Sequence, residues 1–495
     1  MLFTTAAFAF LFLPVVIIGF YSIARLSHMW AAAWLFAASV FFYGYWMPSF
    51  TLLLLSSIVV NFFVGRRIGV NLAERRSIAR GWMIAGVIFN LAVLSYFKYA
   101  NFFIDTARTL THLNLPLVNV ILPIGISFYT FTQIAFLADA YQKGVREYKF
   151  IHYGLFVTYF PHLVAGPVLH HAQMMPQFGR EETYRFQLSN FAAGVAIFSL
   201  GLIKKVVLAD GISQYADAVF DAVAKGAAPT FHEAWLGSLA YTFQLYFDFS
   251  GYSDMAIGLS WMLNIRLPFN FNSPYKSLNI IDFWRRWHMT LSAFLRDYLY
   301  IALGGNRHGP FRRYVNLGLT MLLGGLWHGA NWTFVFWGGL HGLYLGINHA
   351  FRAMTERFHS ALSTNRLFML LSWLITFLAV VIAWVFFRAP TFGVARDILQ
   401  AMLQPSATPT LAESNRLLWN AGLHFSTGLI ACLLLGAIAI AAPNSNRIGE
   451  WIQARCQTRL SRRAAVFGAA ITLMILLVVL NEARESVSAF IYFNF

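Results

Sequence analysis

The residue best suited to chemistry is His328, in Gly324-Gly325-Leu326-Trp327-His328-Gly329-Ala330-Asn331-Trp332. The flanks, Leu317 to Gly325 and Thr333 to Leu340, carry no charge. An imidazole at membrane depth is costly unless it is paired or lines a wet cavity. The glycines beside it let a backbone or a substrate come close. A neutral imidazole in a partly desolvated site is a good general base near neutral pH. It suits deprotonating a hydroxyl that attacks a thioester. No activated Ser or Cys stands beside it, so direct acyl transfer and a transient acyl-imidazole are both open. Asn331 follows one turn later and is expected to orient the ring. Trp327 borders it, and His341 lies 13 residues on.

A second polar stretch runs Asp282-Phe283-Trp284-Arg285-Arg286-Trp287-His288 and on to Arg307. Asp282 is placed to begin a helix and to face Arg285 and Arg286. His288, Ser292 and Leu295 would share one helical face, with Arg285 a turn earlier. Gly304-Gly305 is expected to end that helix. Trp beside Arg also describes an interfacial anchor, which covers many of these residues but not so many polar groups on one short helix.

Three further polar sites lie upstream. Asp248 and Asp254 sit six residues apart in an aromatic segment. They read either as an ion-pair network, with cations expected just downstream, or as acid–base groups. His162 lies in Tyr159-Phe160-Pro161-His162-Leu163-Val164-Ala165-Gly166-Pro167, too broken for a regular spanning helix, and is either structural or a substrate contact. Leu122-Pro123-Ile124-Gly125 predicts a kink. His170-His171 has no carboxylate or cysteine nearby, and no metal site is expected.

The elements that must position these groups are membrane helices. The chain has 495 residues, 58% hydrophobic and only 11% charged, against about 25% charged in soluble domains. The formal charge of +16 collects in short loops: Arg66 to Arg80, Lys143 to Lys149 and Arg447 to Arg463. That is the positive-inside pattern, with an affinity for anionic membrane lipid, and no nucleic-acid partner is expected. Cys432 and Cys456 support no disulfide framework. Span candidates are 5–24, 30–47, 49–65, 82–100, 118–140, 188–208, 315–350 (two helices broken at the His328 motif), 367–387, 422–441 and 464–481. Less regular stretches at 151–169, 234–265 and 288–303 suggest broken, re-entrant or tilted helices. The total is roughly 11 to 13 spans. The first is expected to be retained, and both termini to lie on the external side.

Asp282 to His288, Leu295 to Arg307 and Trp327 to Asn331 together closely resemble the membrane-bound O-acyltransferase (MBOAT) family. The AlgI-like branch, which O-acetylates polysaccharides, fits best. Phe97 to Phe102, Leu122 to Tyr129, Phe160 to Pro167, Asp248 to Gly258 and Phe490 to Phe495 carry the resemblance along nearly the whole chain. It departs at Ala293, where a Trp is expected. The resemblance implies an all-α polytopic membrane protein, a ring of tilted transmembrane helices with re-entrant segments around a central funnel. It implies one membrane domain over 1–495, with N-terminal helices at 1–110, a catalytic core at 111–350 and C-terminal helices at 351–495. His328 matches the family's catalytic histidine; His288 matches a second motif position, Asn or His in the wider family. Asn331, Trp327, Arg285, Asp282, Ser292, Asp248, Asp254 and His162 are candidates for the substrate or acyl path.

The implied reaction moves an acetyl group from a cytoplasmic donor, acetyl-CoA, across the bacterial inner membrane to an exopolysaccharide such as alginate or cellulose. No bound cofactor is expected. Periplasmic SGNH-type acetyltransferases and an exopolysaccharide biosynthesis complex are the implied partners. The competing reading is a transporter or synthase scaffold without acyl chemistry; a transporter would favour two related halves, and no internal repeat is apparent.

Overall fold

The computed structural model describes residues 1–147, 149–355, 364–405, 415–458, 460–483 and 490–491, with the side chains of 457–464 left aside. Among the described residues the regular structure is helical, with no strand. Among the described residues, six helices are long and apolar enough to cross a membrane, or seven if one bent pair counts as a single span. This is fewer than expected from the apolar runs. Several runs form helices too short or too polar to pass: Ile126–Gln142 has 17 residues, and Gly309–His328 and Trp332–Met354 carry many polar groups. The chain divides into two compact units.

The first unit comprises residues 1–202, 252–269 and 445–494. Its helices include His28–Trp46, Pro48–Asn71, Arg76–Leu94, Ile126–Gln142 and Leu188–Leu202. Local signals set the boundaries. The Ser27 hydroxyl accepts from the Trp30 amide, and Pro48 takes the first turn, where its missing N–H costs nothing. In lipid no hydrophobic force drives helix against helix, so small residues and polar pairs must do it. A Cβ at Gly194 would lie 2.6 Å from the Gly258 carbonyl oxygen, so backbone meets backbone there. Asn61 and Asn90 exchange side-chain hydrogen bonds of 3.2 and 2.6 Å, and Gln133 donates to the Ser57 hydroxyl at 2.9 Å.

The Pro123–Gly125 signal marks the start of a helix, not a kink within one. Gly125 is left-handed (φ 71°) and Ile126 opens the helix. A Cβ on Gly125 would sit 2.9 Å from the Leu163 carbonyl oxygen, in the broken segment after the short helix Phe150–Thr158. Of the C-terminal motif, residues 492–495 lie outside the described residues.

The second unit comprises residues 203–251 and 270–444. It holds the hairpin of Gly309–His328 and Trp332–Met354, joined at the His328 motif as expected. The two helices touch through glycine: a Cβ at Gly338 would lie 2.2 Å from the Met321 carbonyl oxygen. Arg366–Arg388 packs on this hairpin.

Two expectations of irregularity resolve differently. The 234–265 stretch is one continuous helix, Phe231–Met262, contributing to both units. Its hydroxyls bond back within the helix (Thr242 to the Ser238 carbonyl, Ser260 to the Ala256 carbonyl), so its polarity does not break it. The 288–303 stretch holds one helical run, Met289–Phe294 widening into Leu295–Tyr300, followed by turns that include Gly304 and Gly305 at positive φ.

The cation that meets Asp248 lies upstream, not downstream. Lys205, on the widened turn Ile203–Ala209, reaches Asp248 at 2.7 Å and Asp210 at 2.8 Å, and all three side chains are buried. A sequence separation of 43 residues hid this pairing. Removing one partner of a buried ion group leaves charge uncompensated, at a cost of about 3–5 kcal/mol. Lys205→Met is therefore expected to lower the thermal stability of the detergent-purified protein sharply. Lys205→Met with Asp210→Asn and Asp248→Asn should recover most of the loss.

Candidate active site

The site is built from the break that separates two short helices. Ile280–Trp284 is capped by Asn279, whose side-chain oxygen accepts from the Asp282 amide. Asp282 thus sits inside the first turn instead of capping it. Its carboxylate receives Arg286 Nε at 3.0 Å on both oxygens, while Arg285 is exposed. The helix stops there, and His288 adopts a left-handed backbone (φ 43°, ψ 53°). The expected single helix carrying Arg285, His288 and Ser292 on one face does not form. Ser292 is instead in the next helix, its hydroxyl 3.4 Å from the Trp287 carbonyl.

A residue forced left-handed needs surroundings that over-determine it. Here the segment 270–272 supplies them. The Met289 amide donates to the Asn270 carbonyl at 2.9 Å and the Asn272 amide to the Arg286 carbonyl at 2.9 Å. Asn270 Oδ1 accepts from Thr290 Oγ1 at 2.9 Å and lies 3.1 Å from His288 Nδ1. Because a side-chain carbonyl oxygen only accepts, His288 Nδ1 is the donor, and in the neutral ring Nε2 carries the lone pair. Phe249 packs edge-on against the His288 ring at 4.7 Å.

His328 ends its helix, and Gly329 turns away in extended conformation. The His328 ring is buried, 3% exposed, and 6.3 Å centroid to centroid from that of His288. Trp327 (4.9 Å), Trp337 (5.2 Å) and Phe387 (5.3 Å) all meet it edge to face. The two motif histidines, 40 positions apart in sequence, thus form one buried pair walled by aromatic rings.

Asn331 does not orient the His328 ring. Its oxygen caps the following helix by accepting from the Thr333 amide at 3.0 Å, and its amide donates to the Pro390 carbonyl at 2.9 Å. One turn of sequence separation misleads because the chain is extended across Gly329 and Asn331. Asp248 lies in the ion triad. Asp254 and His162 belong to the first unit, where the Ser445 hydroxyl donates to Asp254 at 2.9 Å and His162 Nε2 meets the Phe156 carbonyl at 3.0 Å. Asn270 and Thr290 were not anticipated as site residues. The Phe269-Asn270-Phe271-Asn272-Ser273-Pro274 stretch signals only a chain break, and nothing local ties it to His288. Among the described residues no three of His, Cys, Asp and Glu gather as a metal site would require.

Residues 16–388 match the profile of MBOAT, the membrane-bound O-acyltransferase family. The chain is 39% identical to a peptidoglycan O-acetyltransferase of Helicobacter pylori, covering 100% of this chain and 98% of that one. It is 43% identical to a probable alginate O-acetylase AlgI of Pseudomonas aeruginosa, over 95% of this chain and 90% of the relative. A teichoic acid D-alanyltransferase of Bacillus subtilis is 28% identical over 55% of this chain and 70% of its own length. Acyl transfer is common to these relatives, and the chain, an acyltransferase with several candidate membrane spans, belongs to the membrane-bound O-acyltransferase family.

Proposed function

We propose that this protein is a membrane O-acetyltransferase that moves an acetyl group from cytoplasmic acetyl-CoA for O-acetylation of a polysaccharide, with His328 as the base. The observation that carries this reading is the buried pair of imidazoles, 6.3 Å apart, between tryptophans. Such a site excludes water, so a thioester meets an acceptor hydroxyl before hydrolysis competes. His328 takes the hydroxyl proton. The oxygen attacks the thioester carbonyl carbon, a carbon–oxygen bond forms, the carbon–sulfur bond breaks, and the proton passes from His328 to the departing thiolate. His288, with Nδ1 donating to Asn270, offers Nε2 as an acceptor that orients an O–H or N–H of the substrate.

The relatives named for alginate and for peptidoglycan support a glycan as the final acceptor, and cellulose belongs to the same proposal without a relative named for it. A periplasmic SGNH-type acetyltransferase then receives or shares the acetyl group, within an exopolysaccharide biosynthesis complex. The basic loops 66–80 and 143–149 support an inner-membrane placement with these loops in the cytoplasm and both termini periplasmic.

Labelled acetyl-CoA supplied to proteoliposomes, with polysaccharide or oligosaccharide and the periplasmic partner on the other side, should yield a new ester. Transport of the label without ester would overturn the reading. His328→Ala should reduce transfer by about 10²–10⁴-fold while membrane insertion is unchanged; normal acetylation in a well-expressed variant would remove His328 from the mechanism. Asn270→Ala frees the His288 ring at the loss of one hydrogen bond, and a fall in transfer of about tenfold is expected, with Asn270→Asp milder because it keeps the acceptor oxygen.

A further inference from the structure

His341 takes no part in the chemistry proposed above, yet its ring is held by a hydrogen bond and by packed aromatic rings. It lies on Trp332–Met354 and is fully buried. Trp284 Nε1 is 3.3 Å from His341 Nδ1. An indole N–H can only donate, so Nδ1 is the acceptor and the neutral ring carries its proton on Nε2. Phe283 lies parallel to the ring (9°, 6.2 Å) and Trp337 meets it at 4.8 Å, so the orientation is fixed. The Nε2–H that this leaves is buried with no hydrogen-bond partner among the described residues. Trp337 Nε1–H is in the same position, 1% exposed and unpartnered. Trp337 is the ring that touches both imidazoles, His341 at 4.8 Å and His328 at 5.2 Å.

Buried N–H donors are nearly always paired, and exceptions call for a reason. Two such donors lie on one helix, one turn apart, around the ring that borders His328. We propose that His341 Nε2–H donates a hydrogen bond to the carbonyl oxygen of the thioester at the His328 site, as a further catalytic residue. The inference rests on the acyl-donor reading above. When the acceptor oxygen attacks, the carbonyl oxygen becomes anionic and the bond from His341 strengthens. When the carbon–sulfur bond breaks, the oxygen returns to a carbonyl and His341 keeps its proton throughout. A fixed donor aimed where charge develops accelerates acyl transfer without rearrangement. Trp284, in the Asp282–His288 stretch, is then a positioning residue that selects the tautomer.

The test compares two inert analogues of the donor. One is a ketone in which a methylene replaces the thioester sulfur; the other is the matched alkyl chain lacking the carbonyl oxygen. Binding to the purified full-length protein in nanodiscs is measured by calorimetry. The wild type should prefer the ketone by about tenfold, the worth of one hydrogen bond. His341→Phe, which keeps a ring, should erase the preference and leave the alkyl analogue's affinity unchanged; a structural defect would weaken both analogues alike. His341→Gln, which keeps an N–H donor, should retain part of the preference and serves if the Phe variant fails to fold. Equal binding of the two analogues by the wild type, or a full preference surviving in His341→Phe, would overturn the proposal. Failure of both analogues to bind the wild type would overturn the coenzyme A donor reading and the inference with it, whereas acetyl transfer with no ketone preference would overturn the inference alone.

Discussion

Desolvation of polar groups is the constraint on which the rest depends. Where water is absent, each backbone and side-chain polar group must find its partner within the protein. The chain meets this with specific pairings that each fix a geometry. Asn270 answers His288, Trp284 answers His341, and Lys205 answers two carboxylates. None is a generic contact. Each selects one tautomer, one rotamer or one register, and a site held by such pairings is rigid before substrate arrives.

Aromatic packing completes what the hydrogen bonds begin. Trp284, Trp287, Trp337 and Trp384 with Phe283 and Phe387 form a continuous cluster around the histidines, with ring contacts at 4.8 to 6.4 Å that are mostly edge-on, Trp337 and Trp384 being stacked. Edge-to-face packing places the positive rim of one ring on the negative face of another, so the cluster is directional as well as apolar. Glycine does the complementary work in the hairpin. At Gly325 and Gly338 any side chain would collide with the facing backbone, so the helices that carry His328, Trp337 and His341 have one close approach and little freedom to slide.

Much of this was legible in sequence, and what failed did so for physical reasons. The membrane class follows from hydropathy, because a low-dielectric solvent leaves its mark on composition. The break at His328 follows from its glycines, which are local; that Asn331 caps the next helix was not read from the sequence. The family resemblance named both His288 and His328, but their contact across 40 positions leaves no local trace in the sequence. The same holds for Asn270 on His288 and for Lys205 on Asp248. Helical spacing failed twice, at His288 and at Asn331. In both places the backbone leaves the helix within one turn, so periodicity assigned a shared face to residues that have none.

The left-handed backbone at His288 carries a consequence for which side chains can stand there. Asn and His, the two residues that the family resemblance leads one to expect at this position, share little in size, charge or basicity. They do share a tolerance for positive φ that β-branched and most bulky side chains lack. The position therefore filters candidates by main-chain conformation first and by hydrogen-bonding capacity second. An exchange between them that looks chemically radical is conformationally conservative at this turn.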